Sequence, residues 1–240
     1  VNNLYWRKWT INDEIILRDN YPVMGYRVCE LFPERTKAAV LRKAQLMNLK
    51  VKRKLRKELM EDRVGYLDIE TSQLVADFGI LYSWCIKQQG TNHYDQSIIT
   101  REEILNGTLD KRVIEELVEV MRKYTLLYTY YGSRFDVPFI RTRALIHEVP
   151  FIPRGEIEHR DLYYLARRVL RLHSNRLENV CSVFGIKGKT KIEQRYWILA
   201  NTGNPEALKY IAEHNRADVT ILEQVHEKLA SFEAQQRRWL

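Results

Sequence analysis

The chain has 240 residues, of which 45% are hydrophobic, 29% charged and 11% aromatic, a composition that excludes disordered, collagen-like and low-complexity classes and allows one or two domains. Its formal net charge of +8 is unevenly placed: residues 1–63 hold 15 Lys/Arg against 8 Asp/Glu, whereas residues 64–240 hold 24 against 23. A polyanion partner is therefore expected of the N-terminal segment alone, and the rest has to be argued separately.

The first fifty residues read as three short helices. Thr10 caps the first, with Asp13 and Glu14 in its opening turn and Ile11, Ile15 and Ile16 at helical spacing, and Tyr21-Pro22 ends it. Gly25 to Phe32 gives a second, closed by Pro33. Thr36 caps a third, from Lys37 to about Leu49, in which Val40, Ala44 and Met47 share one face while Lys37, Arg42, Lys43 and Gln45 fall largely elsewhere. Trp6, Trp9, Leu17, Leu31 and Leu46 are the expected core fillers of this small unit. Residues 51–63 are strongly basic and free of Gly and Pro, which predicts a solvated helical connector.

From Val64 the pattern changes. VGYLDIE, LVADFGILYSWCIK and YDQSIIT are apolar or alternating and rich in strand-favouring residues. Asp110 is expected to cap a helix whose Val113, Ile114, Leu117, Val118 and Met121 share a face; TLLYTYY is a fourth strand, a helix follows from about Phe135, and a fifth strand lies near Ile157. Helices then cover Leu162–Leu172, Arg176–Phe184, Glu193–Ala200 and Pro205–Ala230. This order predicts an α/β fold, a mixed sheet flanked by helices over residues 64–235, behind the small three-helix unit. Apolar runs such as Gly79–Ile86 are far shorter than the ~18 residues of a spanning helix, and VNNLYWRKWT lacks the apolar core of a signal peptide. Cys29, Cys85 and Cys181 are odd in number and contain no C-x-x-C pair, so neither a zinc site nor a disulfide framework is expected. These features predict a soluble protein of a reducing compartment, the cytoplasm, with no membrane association.

Four acids stand out. In YLDIET, Asp68 and Glu70 are two positions apart on a strand and project from one face, while Leu67 and Ile69 project from the other. Two adjacent like charges in apolar sequence call for a cation, and hard carboxylate oxygens suit a divalent metal; the plainer alternative is an edge strand with both groups solvated. Asp136, in GSRFDVPF, also reads as the acidic member of a capping box begun by Ser133. Asp218 lies four residues after His214 in the last helix, so the two share a face, and an ordinary surface pair is its simple explanation.

Taken together, D-x-E on a first strand, an Asp after a fourth strand and H-x-x-x-D on a late helix resemble the DEDD superfamily of 3′–5′ exonucleases, which have the ribonuclease H-like fold. Leu67-Asp68-Ile69-Glu70-Thr71 and Phe135-Asp136-Val137-Pro138 are close matches, and HRDLYYLARRVL and NRLENVCSVFGIKGK are similar to its polymerase-proofreading-like and prokaryotic ribonuclease H-like members. The resemblance implies two Mg²⁺ or Mn²⁺ ions, with Asp68 bridging both, Glu70 and Asp218 completing the first site and Asp136 serving the second. One common subtype has Tyr four residues before the last Asp and another has His five before it; this chain has His at the four-residue spacing. That departure makes His214 the expected general base, with Tyr210 as the rival one turn earlier. His159 and Asp161 are expected to be structural, Asp161 capping the helix at Leu162.

WRKWT…CELFPERTKAAVLRKAQLMNL resembles the Myb/SANT-like branch of helix-turn-helix domains over residues 5–50. This implies a DNA-binding domain in which Lys37, Arg42 and Lys43 on the third helix, then Lys50, Lys52, Arg53 and Lys54, meet nucleic acid. The expected protein is thus a metal-dependent 3′–5′ exonuclease acting on DNA, with RNA, a structure-specific endonuclease and a non-catalytic repair scaffold as alternatives. A transposase is disfavoured by the early D-x-E and the late Asp218.

Overall fold

The computed structural model describes residues 8–51, 63–189 and 191–233. Five strands, β1 (Val64–Thr71), β2 (Leu81–Gln88), β3 (Tyr94–Ile98), β4 (Leu126–Thr129) and β5 (Glu158–Asp161), form one mixed sheet in the order β3-β2-β1-β4-β5. β1 runs antiparallel to β2 and β2 to β3, whereas β4 is parallel to β1 and β5 to β4. The strand carrying Asp68 and Glu70 is therefore central, which removes the edge-strand explanation for its acids.

The helices of this part are α3 (Arg101–Asn106), α4 (Lys111–Met121), α5 (Asp136–Ile146), α6 (Leu162–Val169), α7 (Leu177–Phe184), α8 (Gln194–Asn201) and α9 (Pro205–Glu233). Side-chain alternation along β1 sorts the core into two layers. Leu67 and Ile69 join Trp84, Val113, Ile114, Leu117, Phe139 and Ile140 under α4 and α5. Tyr66, on the face shared by Asp68 and Glu70, joins Cys85, Leu162, Val180, Val219 and Leu222 under α6, α7 and α9. Burial of the apolar residues on both faces fixes the register, because a one-residue slip would exchange the two layers.

Several expectations are corrected. LVADFGILYSWCIK is a strand only from Leu81; residues 74–80 form a turn in which Gly79 donates to the Val75 carbonyl at 2.8 Å and Leu74 and Phe78 are more than 80% exposed. A Cβ on Gly79 would stand 2.7 Å from that carbonyl, so the turn depends on glycine there. Asp110 occupies the cap position of α4 without capping it. Its buried carboxylate instead takes Arg143 Nη2 at 2.5 Å, Arg143 Nε at 2.9 Å and the Leu81 amide at 2.7 Å, tying α5 to β2. The T-x-x-E signature at Thr100 caps α3, a helix the strand-rich reading of this region passed over.

At the N-terminus α1 (Ile11–Met24), a 3₁₀ helix (Gly25–Leu31) and α2 (Lys37–Leu46) pack around Leu17, Tyr21, Val28, Phe32, Val40 and Ala44. Thr10 and Asp13 form the expected capping box, and Thr36 caps α2. Pro22 does not stop α1, since so near the end it removes a single backbone bond and its fixed φ suits the helix. Leu31 and Leu46 are 42% and 69% exposed and are not core residues. This unit abuts the sheet domain: Lys37 pairs with Glu119 at 3.0 Å, and the buried Tyr21 lies beside the buried Arg122–Glu156 pair. Residues 52–62 of the expected connector, with Lys52, Arg53 and Lys54, lie outside the described residues, as does Trp6. Among the described residues no helix is long and apolar enough to cross a membrane.

Candidate active site

Asp68 and Glu70 leave β1 towards α9, which carries His214, Asn215 and Asp218 over the same face. Asn215 Nδ2 donates to Asp68 Oδ2 at 2.7 Å, and behind it Ser83 Oγ donates to Asn215 Oδ1 at 3.3 Å. Donor atoms of Glu70, His214 and Asp218 lie within 4.8 Å of one another. Asp136 enters from α5 at the C-terminal end of β4, the strand parallel to β1, so the acids gather where the connections leave this pair of strands in different directions.

Asp136 is not a capping acid. α5 begins at Asp136 itself, Phe135 precedes it without a side-chain cap bond, and Ser133 Oγ donates to Asp161 Oδ2 at 2.5 Å instead. Asp161 also accepts from the Tyr131 amide at 2.8 Å, the Ser133 amide at 3.0 Å and the Tyr163 amide at 3.0 Å, so it caps α6 as expected and folds the β4–α5 turn at the same time. Gly132 lets that turn close: a Cβ there would lie 2.4 Å from Thr129 Oγ1 and 2.9 Å from Asp136 Oδ2. His159 Nε2 is 2.8 Å from Thr129 Oγ1 on the neighbouring strand and takes no place in the cluster, again as expected.

The electrostatics are those of anions crowded together. Burial, then Asp218, Glu70 and Asp136, push the Asp68 pKa well above the usual carboxylate range, with Lys189 opposing. Burial followed by Asp218 raises Glu70 to about 8. Burial dominates at Asp136, which is held at about 7, with Asp161 adding and backbone hydrogen bonds opposing. Lys189 supplies the nearest positive charge through an ion pair with Asp218 Oδ2. The other oxygen of that carboxylate, Oδ1, is buried with no hydrogen-bond partner among the described residues. His214 Nε2 stands 3.6 Å from Asp218 Oδ2, and burial lowers the imidazole pKa against the pull of that carboxylate. A cleft of about 370 Å³ opens onto Glu70, Lys189, Trp197 and His214. The rival base, Tyr210, is stacked on Tyr196 with ring centroids 4.0 Å apart.

The sequence model of the RNase_H superfamily matches residues 65–230, which is the sheet from the second residue of β1 onward and all but the end of α9. The chain belongs to the RNase_H superfamily. A DNA polymerase of Methanocaldococcus jannaschii is 33% identical over 112 residues, which cover 37% of this chain and 7% of that protein. The structure of the family B DNA polymerase from the hyperthermophilic archaeon Pyrobaculum calidifontis shares the fold with a TM-score of 0.58 at 18% identity, covering 72% of this chain and 25% of that one. The chain therefore corresponds to a small part of either polymerase.

Within this RNase_H superfamily fold, three polar residues of the cluster escaped the sequence reading. Asn215 directly follows His214 and could have been found by asking which helix residue faces β1. Ser83 is visible only through the β1–β2 register, where it sits opposite Glu70. Lys189 comes from the irregular segment between α7 and α8 and carries no periodic signal. Of the basic residues expected to meet nucleic acid, Lys37 is paired with Glu119 and Lys43 with Glu14 at 2.6 Å, while Arg42 and Lys50 are exposed.

Proposed function

We propose that the chain is a metal-dependent nuclease of the DEDD type, a 3′–5′ exonuclease acting on DNA, with residues 1–50 serving as a helix-turn-helix anchor. The observation that carries this reading is the gathering of Asp68, Glu70, Asp136 and Asp218 at one place with too little positive charge around them. These residues fit divalent cations: the donors are hard oxygens, and the buried Asp218 Oδ1 has no hydrogen bond of its own among the described residues. Asp68 would be shared between two ions, with Glu70 and Asp218 at the first and Asp136 at the second. When bound, such ions supply positive charge to the scissile phosphate and to the attacking and leaving oxygens.

The other groups act on protons and on orientation. His214, held neutral at neutral pH by its lowered pKa, accepts the proton of the attacking water. Asn215 fixes the rotamer of Asp68 through its 2.7 Å hydrogen bond. Lys189 holds the Asp218 carboxylate in place through its ion pair. The similarity to parts of two DNA polymerases supports a nucleic-acid substrate, and the exposed Arg42 and Lys50 support contact of the N-terminal unit with phosphates.

The test is cleavage of end-labelled single- and double-stranded DNA and RNA in Mg²⁺, Mn²⁺ or EDTA by wild type and Asp68→Asn. Stepwise shortening from the 3′ end of DNA is expected, abolished by EDTA and reduced at least about 10²-fold in the variant. Internal cuts would replace the exonuclease with an endonuclease. Undiminished activity of Asp68→Asn would refute the site assignment, and duplex binding without any cleavage would leave a scaffold.

A further inference from the structure

Beside the acid cluster the surface carries an aromatic patch that no step above uses. Tyr131 follows β4, and Tyr163 and Tyr164 open α6. Tyr131 meets Tyr163 edge-on with centroids 4.9 Å apart and lies nearly parallel to Tyr164, 28° between planes and 6.4 Å between centroids. Tyr130 backs the group, edge-on to Tyr163 at 6.0 Å. Tyr131 and Tyr164 remain 46% and 39% exposed, although large aromatic rings gain from burial.

Two further features mark the patch. Tyr131 has φ +66, a left-handed backbone that a bulky side chain rarely adopts, and the Asp161 carboxylate holds it there by accepting its amide at 2.8 Å. The same carboxylate raises the pKa of Asp136, and Asp136 Oδ2 lies 2.9 Å from where a Cβ of Gly132, the next residue, would stand. One turn thus presents the aromatic surface and the acid together.

Charge around the rings is positive. Arg134 is exposed and donates from Nε to the Tyr164 hydroxyl at 3.2 Å. Arg167 lies one turn beyond Tyr163 and Tyr164 on α6, and Arg171 follows it; both are exposed. The segment 160–176 holds five arginines against one acid, Asp161, although residues 64–240 are nearly neutral overall.

We propose that Tyr131, Tyr163 and Tyr164 form a stacking surface for the unpaired bases of a nucleic-acid strand whose phosphates run past Arg134 and Arg167 towards Asp136. Flat aromatic rings stack on bases of any sequence, and guanidinium groups beside them meet the backbone, the combination that suits single strands rather than duplex. The inference rests on the nuclease reading for the choice of occupant and extends it to where the strand lies and what part of it is gripped.

The experiment is fluorescence anisotropy with 5′-labelled dT₁₀ and U₁₀ and with dT₁₀ whose three terminal 3′ nucleotides lack bases. It is run in EDTA, so that binding is read whether or not the chain cleaves. Wild type is expected to bind dT₁₀ at least about fivefold more tightly than the abasic strand, the scale of stacking one base. Tyr164→Ala and Tyr131→Gly should each erase most of that difference, and Tyr164→Phe should restore it. Tyr131→Gly suits the positive φ there, and the melting temperature of each variant, together with rescue by Tyr164→Phe, separates lost stacking from lost folding. Equal affinity of wild type for base-bearing and abasic strands, or an unchanged preference in Tyr131→Gly and Tyr164→Ala, would overturn the proposal. Equal binding of U₁₀ and dT₁₀ would identify bases in general as the ligand; a U₁₀ preference would name RNA as the gripped strand. Failure of cleavage in the assay of the preceding section, with the base preference intact, would overturn the nuclease reading and leave the stacking surface standing.

Discussion

Glu70 and Asp136 carry pKa values of about 8 and about 7, and these shifts bear on stability as well as on chemistry. Unfolded carboxylates titrate near ~4, so the fold favours their neutral forms. That contribution is fully present below the unfolded pKa and is lost as pH rises through about 7 to 8. In EDTA the melting temperature is therefore expected to fall between about pH 4 and about pH 8 and to level off above that. Added Mn²⁺ should raise it, and more at the alkaline end, because the ligands must give up protons to bind. A melting temperature independent of pH in EDTA would contradict the crowding of these acids. At this scale Asp68 and Glu70 were legible, because strand alternation alone places them on one face. Lys189 was not, because its position follows from the path of an irregular segment with glycines at Gly185 and Gly188, both at positive φ.

The β4–α5 turn is the element on which the site depends most. Gly132 approaches both Thr129 and Asp136 too closely for any side chain. Gly132→Ala is expected to cost about 1–3 kcal/mol in a denaturant melt, as overpacking does, and to reduce cleavage by displacing Asp136. A variant with unchanged stability and activity would show that the turn tolerates what the distances forbid. Helices and strands with a strong period were readable from the sequence: α9, α5's partner α4 and β1 all lie where apolar spacing puts them. The segment 74–80 was not, since Leu74, Val75 and Phe78 are apolar yet form an exposed turn, and apolar content by itself does not distinguish a strand from such a turn. Asp110 shows the same limit, for a residue at a cap position can be drawn away by an arginine, here Arg143, far along the chain.

Across the whole molecule the +8 charge is a sum of differently used parts. Of the four described residues expected to meet nucleic acid, Lys37 pairs with Glu119 and Lys43 with Glu14, while Arg42 and Lys50 are exposed and make the direct test. Arg42→Glu and Lys50→Glu are expected to weaken duplex binding and to lower the slope of log affinity against log salt by about one each. Unchanged affinity and slope would remove the N-terminal unit from DNA binding. Point variants serve better than deletion, because Tyr21 packs beside the buried Arg122–Glu156 pair and its removal would uncover that pair. The central claim concerns the sheet domain: four carboxylates brought from β1, α5 and α9 make one cation site. Calorimetric titration with Mn²⁺ tests this most directly. The account predicts saturable binding of two ions per chain by wild type and loss of at least one in Asp68→Asn, with the metal-free fold of that variant as stable as wild type. No saturable binding, or identical titrations for the two proteins, would contradict it.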